Sequence, residues 1–326
     1  MYKRYLIMTA VFLLVLSGCA APKIKLFQDE KDPLKEFTLQ GKAKEKILLI
    51  SIRGMISDAP KKEFLRPRPS MVQEVMSQLQ LAEKDKNIRA ILLKVNSPGG
   101  TATASDILYK EISAFKNRTK TKVTVVMMDV AASGGYYLSL PADHIIAHPT
   151  TITGSVGAIF IYPKFNGLMD KIGLKVEVSK SGKNKDMGSP FRETTSEERE
   201  LLQELTDTIG KRFLNLVAQH RKLDAHVVDQ VATARVFTAK QALDLGLIDE
   251  IGYLTGAIKS TKTMAGLPDD AKVIVYRRAK FPDDNLYNTA TTQSGIYRFP
   301  FVDLNLISAL PDHQVGIYYL WAPAGK

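Results

Sequence analysis

Short unbroken apolar runs alternate with segments of helical period along the first half of the chain, and that alternation limits the possible folds more than any other feature. Ile47-Leu48-Leu49-Ile50-Ser51-Ile52 reads as a buried strand, and Met71, Val75, Leu79 and Ala82 then recur at helical spacing. The pattern repeats. Residues 88–95 read as a strand, 104–115 as a helix and 122–128 as a strand, and a helix is expected to start at or just after Ser133. Strands separated by single helices imply parallel crossovers, so the fold class is α/β.

Beyond this region, 156–161 and 174–178 are strand-like on either side of a short helix over 165–172. Thr195 with Glu198 forms a capping box, and Leu201, Leu202, Leu205, Ile209, Phe213, Leu216 and Val217 mark one apolar face of the long helix that follows. Thr238 with Gln241 caps another helix, which is expected to end at Gly246. Val273-Ile274-Val275-Tyr276 suggests a last strand before a stretch rich in Pro, Asn, Thr and Gly.

At the start of the chain, Lys3 and Arg4 precede an apolar run over residues 5–16, and Leu16-Ser17-Gly18-Cys19 follows. The run is shorter than the roughly 20 residues of a membrane span and stops at small residues, as a secretory signal does. Leu-Ser-Gly-Cys also resembles a bacterial lipoprotein cleavage box, which makes Cys19 the expected lipidated first residue of the mature chain. Cys19 is the only cysteine, so intramolecular disulfides and cysteine-rich zinc sites are excluded. The expected organisation is a signal over 1–18, the lipidated cysteine with a polar tether over 19–44, one main domain over 45–265 with order beginning near Lys46, and an extension of unassigned role over 266–326. Such a protein is extracytoplasmic and held at the cell envelope, with inner and outer membrane both open.

Loss of Lys3 and Arg4 with the signal lowers the formal net charge from +11 to +9. The basic clusters at Lys61, Lys62, Arg66 and Arg68 and at Lys116, Arg118, Lys120 and Lys122 lack interleaved aromatic residues. Nucleic acid is therefore not an expected partner, whereas an anionic membrane surface is compatible with the charge.

The chemistry concentrates at Ala131-Ala132-Ser133-Gly134-Gly135-Tyr136-Tyr137. Two glycines after the hydroxyl let a substrate carbonyl approach both the Ser133 oxygen and the Gly134 N–H, although the same serine could simply cap a helix. Asn96-Ser97-Pro98-Gly99-Gly100 occupies the corresponding junction one strand and helix earlier, where the Gly100 N–H could face a developing oxyanion; read alone, it is a tight turn. His144 follows Asp143, so a Ser-His-Asp triad is one arrangement to consider. However, His144 and His148 flank Ile145-Ile146 like strand-edge residues, and His220 and His226 lie at the end and exit of the long helix. Lys185, 52 residues beyond Ser133, is the alternative base. A lysine acts as a base only when neutral, so burial must lower its reference pKa of about 10.4 by a few units. Ser155, in Thr153-Gly154-Ser155-Val156-Gly157, could orient that amine or could be an ordinary turn residue.

Taken together, Asn96-Ser97-Pro98-Gly99-Gly100, the Ser133 segment, Gly154-Ser155-Val156-Gly157 and Gly182-Lys183-Asn184-Lys185-Asp186 resemble the signal peptide peptidase A (SppA) family in its short, single-domain form. The resemblance covers roughly residues 45–265. It implies a Clp-protease/crotonase-like fold with repeated β-β-α and βαβ units, and a Ser-Lys dyad with Ser133 as nucleophile and Lys185 as general base. Gly100 and Gly134 would be the oxyanion donors and Ser155 would contact the lysine. It further implies a serine endopeptidase that needs no cofactor and no metal, takes cleaved signal peptides and other extended apolar peptides, and assembles into a homo-oligomeric ring, an octamer being one such size. Neighbouring protomers can complete each other's sites in such rings. Many relatives carry a transmembrane anchor where this chain has Cys19.

Three other readings compete. A β-lactamase needs Ser-x-x-Lys with partner motifs, and the single match, Ser113-Ala114-Phe115-Lys116, comes without Ser-Asp-Asn or Lys-Thr-Gly. A crotonase-type acyl-CoA enzyme would share the fold but meets no CoA after export. A noncatalytic lipoprotein scaffold of the same fold is the third.

Overall fold

The computed structural model of the chain describes residues 33–62, 67–278, 284–287 and 316–321. The expected signal over 1–18, Cys19, the first part of the tether and His313 lie outside the described residues. In chain order the described strands are β1 (Lys35–Gln40), β2 (Lys46–Arg53), β3 (Lys61–Lys62), β4 (Pro67–Arg68), β5 (Ile88–Ser97), β6 (Gly99–Thr101), β7 (Lys122–Ala132), β8 (His144–Ala147), β9 (Ile152–Gly154), β10 (Ile159–Ile161), β11 (Val236–Thr238), β12 (Glu250–Ile251), β13 (Lys272–Arg277) and β14 (Gly316–Leu320). The helices are α1 (Met71–Lys84), α2 (Ala102–Thr119), α3 (Gly134–Tyr137), α4 (Asn166–Ile172), α5 (Ser196–Arg221), α6 (Ala225–Ala232), α7 (Ala239–Asp244) and α8 (Leu254–Met264).

The main sheet runs β1-β13-β2-β5-β7-β8-β12, and β9 pairs with the end of β7 and with β11. β2, β5, β7 and β8 are parallel, with α1 and α2 as the first two crossovers. The apolar runs are continuous because both faces of the sheet are covered. On one face, Leu48, Ile50 and Ile52 of β2 and Leu93 and Val95 of β5 pack with Val75 and Leu79 of α1, Leu108 and Ile112 of α2, and Phe213 and Val217 of α5. On the other, Ile47, Leu49, Leu92 and Val126 pack against Leu254, Ala257 and Ile258 of α8. Each such fully buried Leu or Ile contributes about 1.5–3 kcal/mol.

Caps behave as their sequences specify. Ser70 and Gln73 close a capping box on α1, as do Thr195 and Glu198 on α5 and Thr238 and Gln241 on α7. On α5, Leu202, Phe213 and Val217 are buried, whereas Leu205 is exposed.

Four expectations need correction. Among the described residues, regular structure begins at Lys35, not near Lys46, because β1 pairs antiparallel with β13 and its Phe37 and Leu39 pack on the α8 face. Residues 174–178 form no strand; Leu174, Val176 and Val178 have no neighbouring strand among the described residues and are exposed. The strand expected over 156–161 is confined to β10. The extension past 265 is not separate from the main domain, since β13 lies between β1 and β2 and β14 lies between β10 and β6.

Candidate active site

β5 and β7 are sheet neighbours whose carboxyl ends coincide, with Ser97 opposite Ala131. The loops leaving these strands therefore meet at one edge, the usual place for reactive groups in an α/β sheet. Ser133 follows β7 directly. Its φ of 52° lies in a region that a residue with a Cβ seldom occupies, and its N–H donates to the Gly154 carbonyl at 2.7 Å. The side chain is 1% exposed and makes no capping hydrogen bond to α3. A helix N-cap would spend its hydroxyl on the helix; this one keeps it unspent.

The ladder that holds Ser133 also brings in Ser155. β9 runs alongside the end of β7 with Ala132 opposite Gly154, so each serine is the next residue on its own strand. Ser155 shares the unusual backbone, with φ 52°, and its N–H donates to the Arg235 carbonyl at 2.9 Å. Two non-glycine residues held side by side at positive φ are a concentration of strain, which folds tolerate chiefly at functional sites.

The turn after β5 packs onto the Ser133 segment through glycines. A Cβ on Gly99, whose φ is 102°, would lie 2.8 Å from the Gly134 nitrogen, and one on Gly134 would overlap the Ser105 hydroxyl. The Ser97 hydroxyl fixes this turn, accepting from the Gly99 N–H at 3.1 Å and donating to the Gly54 carbonyl at 2.7 Å. On one edge of β6, the Ile56 N–H donates to Gly99 and the Thr101 N–H donates to Ile56. Alternation along a strand then turns the Gly100 N–H to the opposite edge. That edge of β6 is the one paired with β14, where Gly100 lies opposite Tyr319.

Lys185 is on a different footing. It lies in an exposed turn, with its own N–H donating to the Gly182 carbonyl at 3.2 Å, and within the chain its amine has no hydrogen bond or ion pair to a described residue. The turn itself is firmly held. Asp186 accepts from Lys180 at 2.6 Å and from two nitrogens of Arg192 at 2.8 Å, and the same guanidinium grips Glu198 in the first turn of α5. Arg192 keeps both carboxyls well below the usual range, Glu198 at about 2. Sequence reasoning missed Arg192 as an anchor, because a forked ion pair between a loop and a helix cap has no local signature.

The histidines are used elsewhere. His144 opens β8, and because β8 is parallel to β7 it lies at the opposite end of the sheet from Ser133, where its Nε2 meets Glu250 at 3.0 Å. His148 pairs with Thr150, and His220 with the Tyr109 hydroxyl at 2.9 Å. Burial, then Lys116 and Arg221, push the His220 pKa down.

Comparisons with known proteins place the chain in a family. A profile of Peptidase family S49 matches residues 115–268, and one of Clp protease matches residues 67–151. The chain is 34% identical over 253 residues to a putative signal peptide peptidase SppA of Enterococcus faecium, covering 78% of this chain and 73% of that protein. It is 33% identical over 233 residues to the chloroplastic serine protease SPPA of Arabidopsis thaliana and 31% identical over 249 residues to Protease 4 of Haemophilus influenzae. These alignments cover 71% and 76% of this chain but only 34% and 40% of those longer proteins. Among solved structures, a variant of the membrane-bound stomatin-specific protease 1510-N aligns with TM-score 0.45 and 18% identity over 72% of this chain and 98% of that one. The fold is Clp-like α/β, and the chain belongs to the SppA family of serine peptidases, peptidase family S49.

Proposed function

We propose that the chain is an envelope endopeptidase in which Ser133 attacks extended apolar peptides, cleaved signal peptides among them, with Lys185 as general base. The observation that carries this reading is the strained, buried Ser133, whose hydroxyl is spent on no cap and whose following residue Gly134 packs closely against Gly99. The neutral Lys185 amine takes the Ser133 proton as the oxygen attacks the scissile carbonyl. Gly100 and Gly134 hold the resulting oxyanion, a contribution of about 3 kcal/mol per donor. The ammonium then returns its proton to the leaving amine, and water releases the acyl group by the reverse sequence. Ser155, one step along β9, orients the amine.

Assembly supplies what the single chain leaves open. Lys185 follows a segment whose Leu174, Val176 and Val178 are about half exposed, with Leu168, Ile172 and Phe191 exposed nearby in sequence. A second protomer covering this apolar stretch would take Lys185 out of water, as a basic amine at a serine nucleophile requires. A homo-oligomeric ring is the proposed assembly, with lipid on Cys19 as the membrane attachment.

Mass spectrometry of a synthetic signal peptide incubated with wild-type and Ser133→Ala protein tests reaction and substrate together. Cleavage within the apolar segment by wild type alone is the expected result; an intact peptide, or equal cleavage by Ser133→Ala, would overturn the proposal.

A further inference from the structure

A strained backbone such as that of Ser133 lasts only where its surroundings over-determine it. Its N–H is held by the Gly154 carbonyl, and its own carbonyl accepts from the Tyr137 N–H at 2.8 Å. The setting of Ser133 therefore depends on what holds Tyr137. Two adjacent hydroxyls secure α3: that of Tyr136 donates to the Leu247 carbonyl at 2.6 Å, and that of Tyr137 donates to Asp106 Oδ1, on α2, at 2.6 Å. The two partners differ in kind. A backbone carbonyl satisfies a buried hydroxyl, whereas a carboxylate oxygen makes a charge-assisted bond of about twice the strength. The same Oδ1 accepts from Arg212 of α5 at 2.8 Å. Burial works against ionisation, but the Tyr137 hydroxyl and the Arg212 guanidinium outweigh it and keep the Asp106 carboxyl below its ordinary range. Rings from the same two helices complete the hold, since Tyr109 of α2 and Phe213 of α5 meet the Tyr137 ring edge-on at 5.3 and 4.8 Å.

We propose that Asp106, itself fixed by Arg212, is a positioning residue for the nucleophile, acting through the Tyr137 hydroxyl to hold the Ser133 backbone in its strained conformation. The proposal rests on the reading of Ser133 as nucleophile given above. Asp106 touches no reacting atom; its effect passes along the Tyr137 side chain to the N–H that Ser133 accepts. Without the hydroxyl bond α3 can settle toward an unstrained backbone, carrying the Ser133 oxygen off its line of attack. The Arg212–Asp106 pair survives loss of the hydroxyl, so α2 and α5 stay joined and the fold is kept.

Full-length wild type, Tyr137→Phe, Asp106→Asn, Asp106→Ala and the double variant Tyr137→Phe with Asp106→Asn are compared by the rate of fluorophosphonate labelling at Ser133, by kcat and KM on a quenched peptide, and by thermal melts. Tyr137→Phe and Asp106→Ala are each expected to slow labelling by about 10- to 100-fold, the range for a reacting group misplaced by up to an ångström, and to lower kcat with KM unchanged. Asp106→Asn should recover part of that loss, because its amide oxygen still accepts from the hydroxyl. The double variant should be no slower than Tyr137→Phe, since both changes cut one link. Labelling at the wild-type rate in folded Tyr137→Phe, whatever its melting temperature, would overturn the proposal, as would losses that multiply in the double variant. Tyr137→Phe and Asp106→Asn keep the native side-chain shapes, so failure of Asp106→Ala to fold leaves the cycle complete. Failure of the nucleophile assignment shows separately, as labelling of wild type at a residue other than Ser133.

Discussion

Ser133 and Ser155 adopt the same backbone conformation on adjacent strands, and each is preceded by a small residue, Ala132 or Gly154. Replacing Ser133 or Lys185 by Ala is expected to lower peptide hydrolysis by at least about 10³-fold while the protein stays folded, since groups that act as a unit are each indispensable. Steady-state kinetics with a quenched peptide, beside far-UV circular dichroism, check this. The Ser133 segment was legible because two glycines after a serine serve little purpose in ordinary packing. Its strained φ was not, because it is imposed by β9, whose partner Gly154 lies well down the chain. Likewise the sequence could place Lys185 in a loop but not supply its surroundings.

At the scale of elements, the Lys185 turn is anchored to α5 through one guanidinium. Arg192→Ala is expected to release Asp186 and Glu198 together and lower kcat/KM by about 10²-fold, the cost of misplacing a reacting group by an ångström or so. Partial recovery in Arg192→Lys, which keeps charge but loses the fork, would separate positioning from simple loss of stability. Thermal melts with the kinetics measure both. Helices α1, α2 and α5 were readable from period and caps, and β2, β5 and β7 from unbroken apolar runs. β1 and β14 were not, because each is a short strand made by its partner: β1 by β13, and β14 by β6 at a separation in sequence that no local pattern spans. The run over 174–178 has strand character with no partner among the described residues, and pairing rather than propensity decides whether a strand forms.

For the whole molecule, two further outcomes are expected. Val176→Asp with Val178→Asp should shift the assembly to smaller species and lower activity in parallel, leaving the circular dichroism spectrum unchanged; size-exclusion chromatography with light scattering, run beside the peptide assay, tests the link. Lys94 of β5 is buried, and desolvation, then Arg53, hold its pKa at about 8 against 10.5 for a free lysine. The unfolded chain thus binds a proton at this site that the fold does not hold between these values, and stability contributed here rises as pH climbs from about 8 to 10.5. Denaturant titrations of wild type and Lys94→Met should converge over that interval, the variant being the more stable below it. Parallel crossovers and the place of Ser133 at the end of β7 followed from the sequence; the pairing of β9 that sets the Ser133 backbone did not, because it joins distant segments.

The pairing of Ser133 with Lys185 is tested most directly by the rate and position of fluorophosphonate labelling, read by tandem mass spectrometry of the assembled protein. A single adduct on Ser133, formed at least about 10³-fold more slowly in Lys185→Ala, is the result expected of a base-activated nucleophile. An adduct on another residue, or an equal rate without the lysine, would contradict it.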